Sequence, residues 1–505
     1  MDELSNNPSA PIAESALPSS ERQSSGWDVS NAPRNYIWLL IYQVGSSAFA
    51  FAAVWLITQK LGPEGYGGVF AVIAASQIVQ IFTNWTTVAV VRFGVDEFVA
   101  GGAIARTFWS RFVILVANLA LLLAGTSLWF PYLDGWLKLT PEVLWLVLAH
   151  FVISAFWMHV QMGMQAAKML RGQGMLQMFE RLIILAGVSG LYFSETIDVR
   201  SAVICYIAGS SLMLLVGVVQ LRSVIFRRFT LDREIFKKTL VYSLPLLPYW
   251  FVGFLSGSYV DAAFITKFLS KADLGVYSIA TQVNGIAMQV PTIANTILLP
   301  LLLTQETETK GERSFHFFRH ILPPLVLAWG VACAVLASLG YIFIPLVFKP
   351  EFSGATQPLW ILLASSVFWI PVAVGYAAFA NATSATYISL VASCFSAAAN
   401  IAANFYLIPK YGMVGCAWAT FAAYAVSVGI FAILLRRESG MPYSWTFLAF
   451  VPSLIGAVIV WYELPLWAFV GCILSSGLIA LYRRDSVTQL YRFASGFWRS
   501  ANATN

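Results

Sequence analysis

Long apolar blocks dominate this chain of 505 residues and constrain what it can fold into. A bilayer-spanning helix needs about 20 mostly apolar residues, whereas barrel strands are about ten residues long and alternate in polarity. Charged residues make up only 11% of the chain, against roughly 25% in a soluble domain. This excludes a soluble enzyme, a disordered protein and a nucleic-acid binder. The sequence predicts an all-α polytopic membrane protein with about fourteen transmembrane helices, at 36–59, 66–90, 111–131, 142–165, 178–194, 201–222, 240–265, 275–303, 320–346, 358–381, 386–408, 412–435, 445–462 and 464–482.

The positive charges separate into two groups once these helices alternate in direction. Of the 30 Lys and Arg residues, 23 fall in the tails and in loops on the side of the termini. Because positively charged loops stay cytoplasmic during insertion, both termini are predicted to be cytoplasmic. The net charge of +6 therefore reflects membrane orientation and not nucleic-acid binding. The opposite, outer side holds the remaining seven: Lys60, Lys138, Arg200, Lys267, Lys271, Lys349 and Lys410.

A basic segment between the sixth and seventh apolar blocks divides the chain into two parts. The first 35 residues lack an apolar run and the features of a signal peptide, so this tail is expected to be disordered and retained. The predicted organisation is a cytoplasmic tail, a six-helix bundle, a basic linker, a second six-helix bundle, two extra helices and a final tail, at 1–35, 36–222, 223–239, 240–435, 436–482 and 483–505.

The two parts carry a weak internal repeat at an offset of 208 positions. Ile57-Thr58-Gln59-Lys60-Leu61 precedes Gly67 as Ile265-Thr266-Lys267-Phe268-Leu269 precedes Gly275. Both segments lie at the outer end of the first predicted helix of their part. Because both parts begin on the inner side, the repeat is parallel, with a pseudo-two-fold axis along the membrane normal.

Four motifs in chain order resemble one transporter family. They resemble the polysaccharide-biosynthesis flippases, the oligosaccharide-lipid translocases of the multidrug/oligosaccharidyl-lipid/polysaccharide exporter superfamily, over roughly residues 36–435. The motifs are Leu61-Gly62-Pro63-Glu64-Gly65-Tyr66-Gly67 closing on Val91-Arg92-Phe93-Gly94, Leu231-Asp232-Arg233 through Ser243-Leu244-Pro245-Leu246-Leu247-Pro248 to Asp261, Leu274-Gly275-Val276-Tyr277-Ser278-Ile279-Ala280, and Asn404 through Leu407-Ile408-Pro409-Lys410-Tyr411-Gly412-Met413-Val414-Gly415.

This resemblance implies two six-helix bundles around a cavity that opens alternately to either side of a bacterial inner membrane. It implies translocation of a lipid-linked oligosaccharide from the cytoplasmic to the outer leaflet in polysaccharide biosynthesis, such as lipopolysaccharide or exopolysaccharide assembly. The implied partners are the polyprenyl-linked oligosaccharide, membrane lipids, and the polymerase and export machinery of the pathway. Flipping involves no covalent step, so no enzyme activity and no cofactor are expected.

Amide and hydroxyl side chains on the helices that begin each part are candidates to line a polar cavity. Amides suit sugar hydroxyls because they both donate and accept hydrogen bonds. The alternative is hydrogen bonding between helices, worth about 0.6 kcal/mol each. The candidates are Gln43 on the first predicted helix, Gln77, Gln80 and Asn84 on one side of the second, and Thr281, Asn284, Thr292 and Asn295 on the eighth.

Few charged residues lie near the spans. Asp261 lies within the seventh apolar block, where a carboxylate costs about 2.5–3.5 kcal/mol at the bilayer centre. Three roles are expected for Asp261. It faces a water-filled cavity and carries a coupling proton, it pairs with Lys267, or it lies at the membrane–water interface. Arg92 ends the second block and either meets a pyrophosphate or obeys the positive-inside rule. No Lys or Arg is predicted deep in the first bundle, which is unusual for a pyrophosphate carrier.

Two other function classes fit part of the pattern. A cation-coupled multidrug exporter of the same superfamily should show more buried acids. A membrane polysaccharide polymerase or ligase should show a long outer loop with catalytic residues, but the predicted outer loops are about ten residues at most. The four histidines show no metal-binding spacing and the five cysteines form no CxxC pair, so no metal site is expected.

Overall fold

The fold is entirely helical wherever the structure describes it. This computed structural model describes residues 32–227, 232–244, 247–255, 257–309, 315–382, 385, 387–441 and 445–491. Within that part, nine helices are long and apolar enough to span a membrane. The predicted all-α polytopic architecture is confirmed. The count of fourteen and the domain boundaries stay predictions.

Seven helices precede the basic segment. These helices are Ala32–Asn84 (α1), Thr87–Gly101 (α2), Ala105–Ala124 (α3), Thr126–Leu137 (α4), Leu144–Ala166 (α5), Leu170–Phe193 (α6) and Val199–Ile225 (α7). Helices α3, α5, α6 and α7 share a core of aliphatic and aromatic side chains centred on Phe108, Trp157 and Leu221.

Eleven further helices follow in the described residues. They begin with Arg233–Ser243, which is capped by the Asp232 carboxylate accepting from the Glu234 amide at 2.9 Å. The helices are Arg233–Ser243 (α8), Leu247–Leu255 (α9), Ser258–Phe268 (α10), Lys271–Thr309 (α11), Leu322–Phe348 (α12), Thr356–Pro371 (α13), Ala377–Ala382 (α14), Tyr387–Ser439 (α15), Thr446–Ala449 (α16), Val451–Trp461 (α17) and Pro465–Tyr482 (α18).

The two longest helices, α1 and α15, are hairpins. Each has 53 residues and contains one glycine with positive φ, Gly62 at 65° and Gly412 at 60°. Glycine tolerates this conformation because it lacks a Cβ. In α15, the Ser396 hydroxyl donates to the Ala423 carbonyl at 3.0 Å, although 27 helical residues would span about 40 Å if straight. The two arms of α15 are therefore antiparallel.

The arms of α1 also fold back on each other. Ser47 in the first arm, 32–61, hydrogen-bonds Gln289, and Tyr66 in the second arm, 63–84, hydrogen-bonds Gln282. These two glutamines are only seven residues apart on α11, or about 10 Å along its axis. Both arms of α1 consequently contact the second half of the chain.

Aromatic side chains extend the contact between the halves along the second arm of α1. Phe70 stacks on Tyr259 at 6.2 Å between ring centroids, and Phe82 lies 6.5 Å from Phe251. The paired positions run in opposite directions along the sequence, so this arm is antiparallel to α9 and α10. We call the end of the molecule with Gly62 and Gly412 the outer face, following the charge-based orientation, and the opposite end the inner face.

Several predicted helix boundaries differ from the structure, and three of the differences affect candidate residues. The block predicted at 178–194 is the later part of α6, which begins at Leu170, because the helix continues through polar residues near its inner end. The second predicted helix breaks after Asn84, and its continuation as α2 carries Arg92. The seventh is interrupted at Gly257 between α9 and α10.

Candidate functional site

Arg181 lies near the middle of helix α6, where no cation was predicted from the sequence. It lies 11 residues after Leu170 and 12 before Phe193 on α6, about 17 Å along the helix from either end. Its side chain is half-buried. Among the described residues, no hydrogen bond or ion pair joins it to a partner. The expectation that the first bundle lacks a deep cation is wrong, because α6 begins eight residues earlier than predicted.

The surroundings of Arg181 come from both halves of the chain. His150 on α5, Tyr206 on α7 and Tyr259 on α10 lie within electrostatic reach of its guanidinium group. Tyr259 belongs to the second half and stacks on Phe70 of the first. Arg181 therefore lies where the two halves meet, and not inside the core of one of them.

The neighbouring carboxylate of Glu180 does not neutralise Arg181. Glu180 is buried and accepts hydrogen bonds from Trp157 Nε1 at 2.9 Å and from the Ser210 hydroxyl at 2.5 Å. Successive helical residues point about 100° apart, so the two side chains diverge: Glu180 is bound between α5 and α7, whereas Arg181 also lies near Tyr259 of the second half. Glu180 thus stabilises the packing of the first half and leaves a positive charge at the interface.

A polar seam joins the two halves near the same depth. Gln289 Nε2 donates to the Ser47 hydroxyl at 3.0 Å, and the side chain of Gln282 hydrogen-bonds the Tyr66 hydroxyl. Sequence reasoning missed both glutamines, although their i, i+7 spacing on α11 marks one helix face. The seam supplies amide groups to the interface that Arg181 faces.

The predicted amide candidates are distributed unevenly. Gln80 is buried, Gln43 and Gln77 are half-buried, and the Oδ1 atoms of Asn84 and Asn284 are buried without a hydrogen-bond partner in the described residues. These two carbonyl oxygens have unused acceptor capacity in the described part of the chain. Cavity lining by this group stays a prediction.

The hydroxyl candidates on α11 satisfy their own helix. Thr281 donates to the Ser278 carbonyl and Thr292 to the Met288 carbonyl, both at 2.9 Å. Such back-bonding leaves a hydroxyl able only to accept from a ligand. The side chain of Asn295 lies outside the described residues.

Arg92 and Lys267 are not part of this group. Arg92 forms an exposed i, i+4 ion pair with Asp96 at 3.0 Å, and its role as a pyrophosphate contact or as a positive-inside residue stays a prediction. Lys267 donates to the Gly135 carbonyl at 3.5 Å and lies over the Trp136 ring. It belongs to the outer face and forms no ion pair with Asp261.

Asp261 lies in a second polar site, inside the second half. It is 3% exposed and accepts from Asn404 Nδ2 at 3.0 Å and from the Thr420 hydroxyl at 3.3 Å. Asn404 also donates to Asn400 Oδ1 at 3.1 Å, and the Oδ1 atom of Asn404 has no partner in the described residues. Asp261 comes from α10 and its partners from the two arms of α15.

This arrangement corrects two expectations for Asp261. The side chain neither faces an open cavity nor pairs with Lys267. Instead, amide and hydroxyl donors offset the cost of burying the carboxylate. The Oδ1 atom of Asn404, which has no partner in the described residues, adds a further acceptor oxygen to this site.

Arg111 is a further buried cation, and it hydrogen-bonds groups of the first half. Arg111 on α3 is 0% exposed and donates to the Thr83 carbonyl at 3.0 Å and to the Thr86 hydroxyl at 3.3 Å. It satisfies the carbonyl end of the second arm of α1, where the chain breaks before α2. Among the described residues, no group of three or more His, Cys, Asp or Glu side chains could hold a metal ion.

Comparison with solved structures identifies the fold. A lipid II flippase MurJ in an inward closed conformation matches with a TM-score of 0.66 and 14% identity, covering 89% of this chain and 99% of that one. An inward-facing multidrug resistance MATE family transporter of the MOP superfamily matches with a TM-score of 0.58 and 14% identity, covering 80% and 98%. The Vibrio cholerae MATE transporter VcmN, as a D35N mutant, matches with a TM-score of 0.52 and 15% identity, covering 80% and 96%. No protein-family model and no curated protein matches the chain.

These likenesses show that the chain has the fold of MOP-superfamily transporters and is a multi-pass membrane protein. The expected superfamily fold is therefore confirmed. At such low identity the matches establish the fold alone, and both a flippase and multidrug transporters share it.

Proposed function

We propose that this protein is a flippase that moves a lipid-linked oligosaccharide from the cytoplasmic to the outer leaflet by alternating access. The observation that carries the proposal is Arg181, a guanidinium group at the middle of α6 that has no hydrogen-bond or ion-pair partner in the described residues and lies where the two halves meet. A polar residue in such a position is retained for function because burying it is costly.

The chemistry of the substrate fits this position. A lipid pyrophosphate is an anion that cannot cross the apolar layer unaided, and a guanidinium group binds phosphate oxygens through two parallel hydrogen bonds. The amides of Gln282 and Gln289, which bind Tyr66 and Ser47 in this conformation, and the oxygens of Asn84 and Asn284, which have no partner in the described residues, are the proposed donors and acceptors for sugar hydroxyls. Arg181 would hold the pyrophosphate while these groups contact the sugars.

The sign of the charge argues against the multidrug exporter alternative. An exporter of organic cations needs an acid that faces the cavity. The two deeply buried carboxylates in the described spans, Glu180 and Asp261, are each enclosed by donors within one half. The group that faces the interface is the cation Arg181, which repels organic cations and attracts anions.

Asp261 is the proposed site of energy coupling. Its carboxylate and the Asn404 oxygen beside it can hold a proton or a monovalent cation, and they connect α10 to both arms of α15. Binding or release of this charge would change how α10 packs on α15. The substrate anion and the coupling cation would then occupy separate sites, one at the interface and one inside the second half.

The proposed cellular setting follows from the substrate. The protein would lie in a bacterial inner membrane with both termini in the cytoplasm, taking its substrate from the glycosyltransferases that build it. A polymerase and export machinery would use the flipped product. A polymerase or ligase activity of the chain itself is disfavoured by its short predicted outer loops.

Deletion of the gene tests the proposal. The expected result is accumulation of a polyprenyl-linked oligosaccharide in the cytoplasmic leaflet, identified by mass spectrometry, and its disappearance on complementation with the wild-type gene. A deletion strain with normal lipid-linked intermediates and a new sensitivity to cationic drugs would support the exporter instead.

A further inference from the structure

The outer ends of the two halves meet at a pair of equivalent glycines. A Cβ atom on Gly67 would overlap the carbonyl oxygen of Lys271, and a Cβ on Gly275 would overlap that of Pro63. Lys271 and Gly275 each lie 208 positions after Pro63 and Gly67, which is the offset of the internal repeat. The contact is therefore reciprocal, as expected of a surface that meets its own copy across a two-fold axis.

Two lysines link the halves on either side of this glycine contact. Lys138 follows α4 with a φ of 49°, and its Nζ donates to the Leu269 carbonyl just after α10 at 2.6 Å. Lys349 follows α12 with a φ of 77°, and its Nζ donates to the Gln59 carbonyl at the end of the first arm of α1 at 2.5 Å. Each lysine follows a helix of one half and binds a carbonyl at the outer end of a helix of the other half, α10 for Lys138 and the first arm of α1 for Lys349.

The accepting carbonyls need such partners. The residue four positions after Gln59 is Pro63, which has no N–H to complete the helical hydrogen bond. Leu269 lies beyond the last turn of α10, where carbonyls have no intrahelical partner and carry the negative end of the helix dipole. An ammonium group satisfies both requirements.

Other contacts strengthen the same connection. Trp55 Nε1 and Gln59 Nε2 both donate to the Val347 carbonyl near the end of α12, at 2.8 and 2.7 Å. Lys267 reaches back to Gly135 on α4. Hydrogen bonds thus cross between the halves on both sides of the glycine pair.

We infer that the Gly67–Gly275 crossing and the bonds of Lys138 and Lys349 form the outer gate of the transporter, a clasp with the two-fold symmetry of the repeat. This inference rests on the proposed alternating access. The glycines let the helices cross closely enough to exclude water, and the lysines hold the crossing closed. Because each lysine is exposed, its bond is weak and exchanges readily with water, so the clasp can open in each transport cycle.

Distance measurement between spin labels tests the gate on the purified full-length protein without substrate. Labels on Ser194→Cys and Lys410→Cys report the outer separation of the halves, in a background that lacks the incompletely buried Cys205 and Cys394. Gly67→Ala is expected to move the distribution to longer distances. Its matched control is Gly68→Ala, whose Cβ would make an ordinary contact with Val199 at 3.4 Å and is expected to leave the distribution unchanged.

The lysine bonds are tested independently, which keeps the inference falsifiable if Gly67→Ala fails to fold. The double variant Lys138→Gln/Lys349→Gln is expected to raise the ratio of open to closed populations about tenfold. Lys60→Gln is the control, because Lys60 pairs with Glu195 inside the first half at 3.4 Å. A wild-type distribution in the double variant, or equal shifts in variant and control, overturns the gate. Neither result depends on the substrate, so the flippase proposal is judged separately.

Discussion

Arg181 and Asp261 are both ionisable residues deep in apolar helices, but their surroundings differ. Asp261 is enclosed by donors from the two arms of α15, whereas Arg181 has no partner in the described residues and lies between the halves. A carboxylate enclosed by uncharged donors inside one half can be reached only by a proton or a small cation, whereas a guanidinium group at the interface between the halves is available to a larger anion. The comparison therefore assigns the substrate anion to Arg181 and the coupling cation to Asp261.

Reversing the charge of Arg181 is expected to have the largest effect. Arg181→Glu places an anion where the pyrophosphate must bind, so surface polysaccharide in a complemented deletion strain should fall by at least about 100-fold, near the upper end of what loss of one charged hydrogen bond costs. Protein levels in the membrane should match wild type. Normal polysaccharide in this variant would show that Arg181 is not in contact with the substrate.

Neutralising Asp261 should have the next largest effect. Asp261→Asn keeps the size of the side chain but cannot carry the coupling cation, so transport should fall about tenfold or more while insertion remains intact. Transport that retains its wild-type dependence on sodium or on the proton gradient would contradict the coupling role. Measuring wild-type transport with a sodium gradient and with a proton gradient also identifies the coupling ion.

Glu180→Gln is the matched change in the first half, since it also neutralises a buried, hydrogen-bonded carboxylate. Its Trp157 and Ser210 partners lose one acceptor, so the free energy of unfolding should fall by about 1–3 kcal/mol. Transport per folded molecule should be unchanged. A transport loss as large as that of Asp261→Asn, at equal protein level, would remove the distinction between a structural and a coupling carboxylate.

The smallest effect is expected from Arg92→Gln. This change removes an exposed i, i+4 ion pair worth about 0.3–0.5 kcal/mol, so neither the melting temperature nor surface polysaccharide should change measurably. A defect like that of Arg181→Glu would indicate that the substrate contacts the inner end of α2.

The apolar blocks predicted the helical fold, but the polar sites depended on contacts that only folding creates. Asn404 begins one of the four motifs, yet its partner Asp261 lies 143 positions earlier in the chain. Arg181 was missed because Gly172, Gln173 and Gly174 interrupt the apolar run, and a helix can extend through such residues where they face water or another polar surface. The repeated positions of Gly67 and Gly275 were visible in the sequence, but their contact with each other was not.

The most direct test of the account is whether the interface binds an anion through Arg181. Binding of a polyprenyl pyrophosphate and of the organic cation rhodamine 6G is measured on the purified protein in detergent, for wild type, Arg181→Lys, Arg181→Gln and Arg92→Gln. We expect the pyrophosphate to bind wild type and Arg92→Gln equally, Arg181→Lys more weakly, and Arg181→Gln about 30-fold more weakly, with no binding of the cation. Equal pyrophosphate affinity in Arg181→Gln, or binding of rhodamine 6G in preference to the pyrophosphate, would contradict the account.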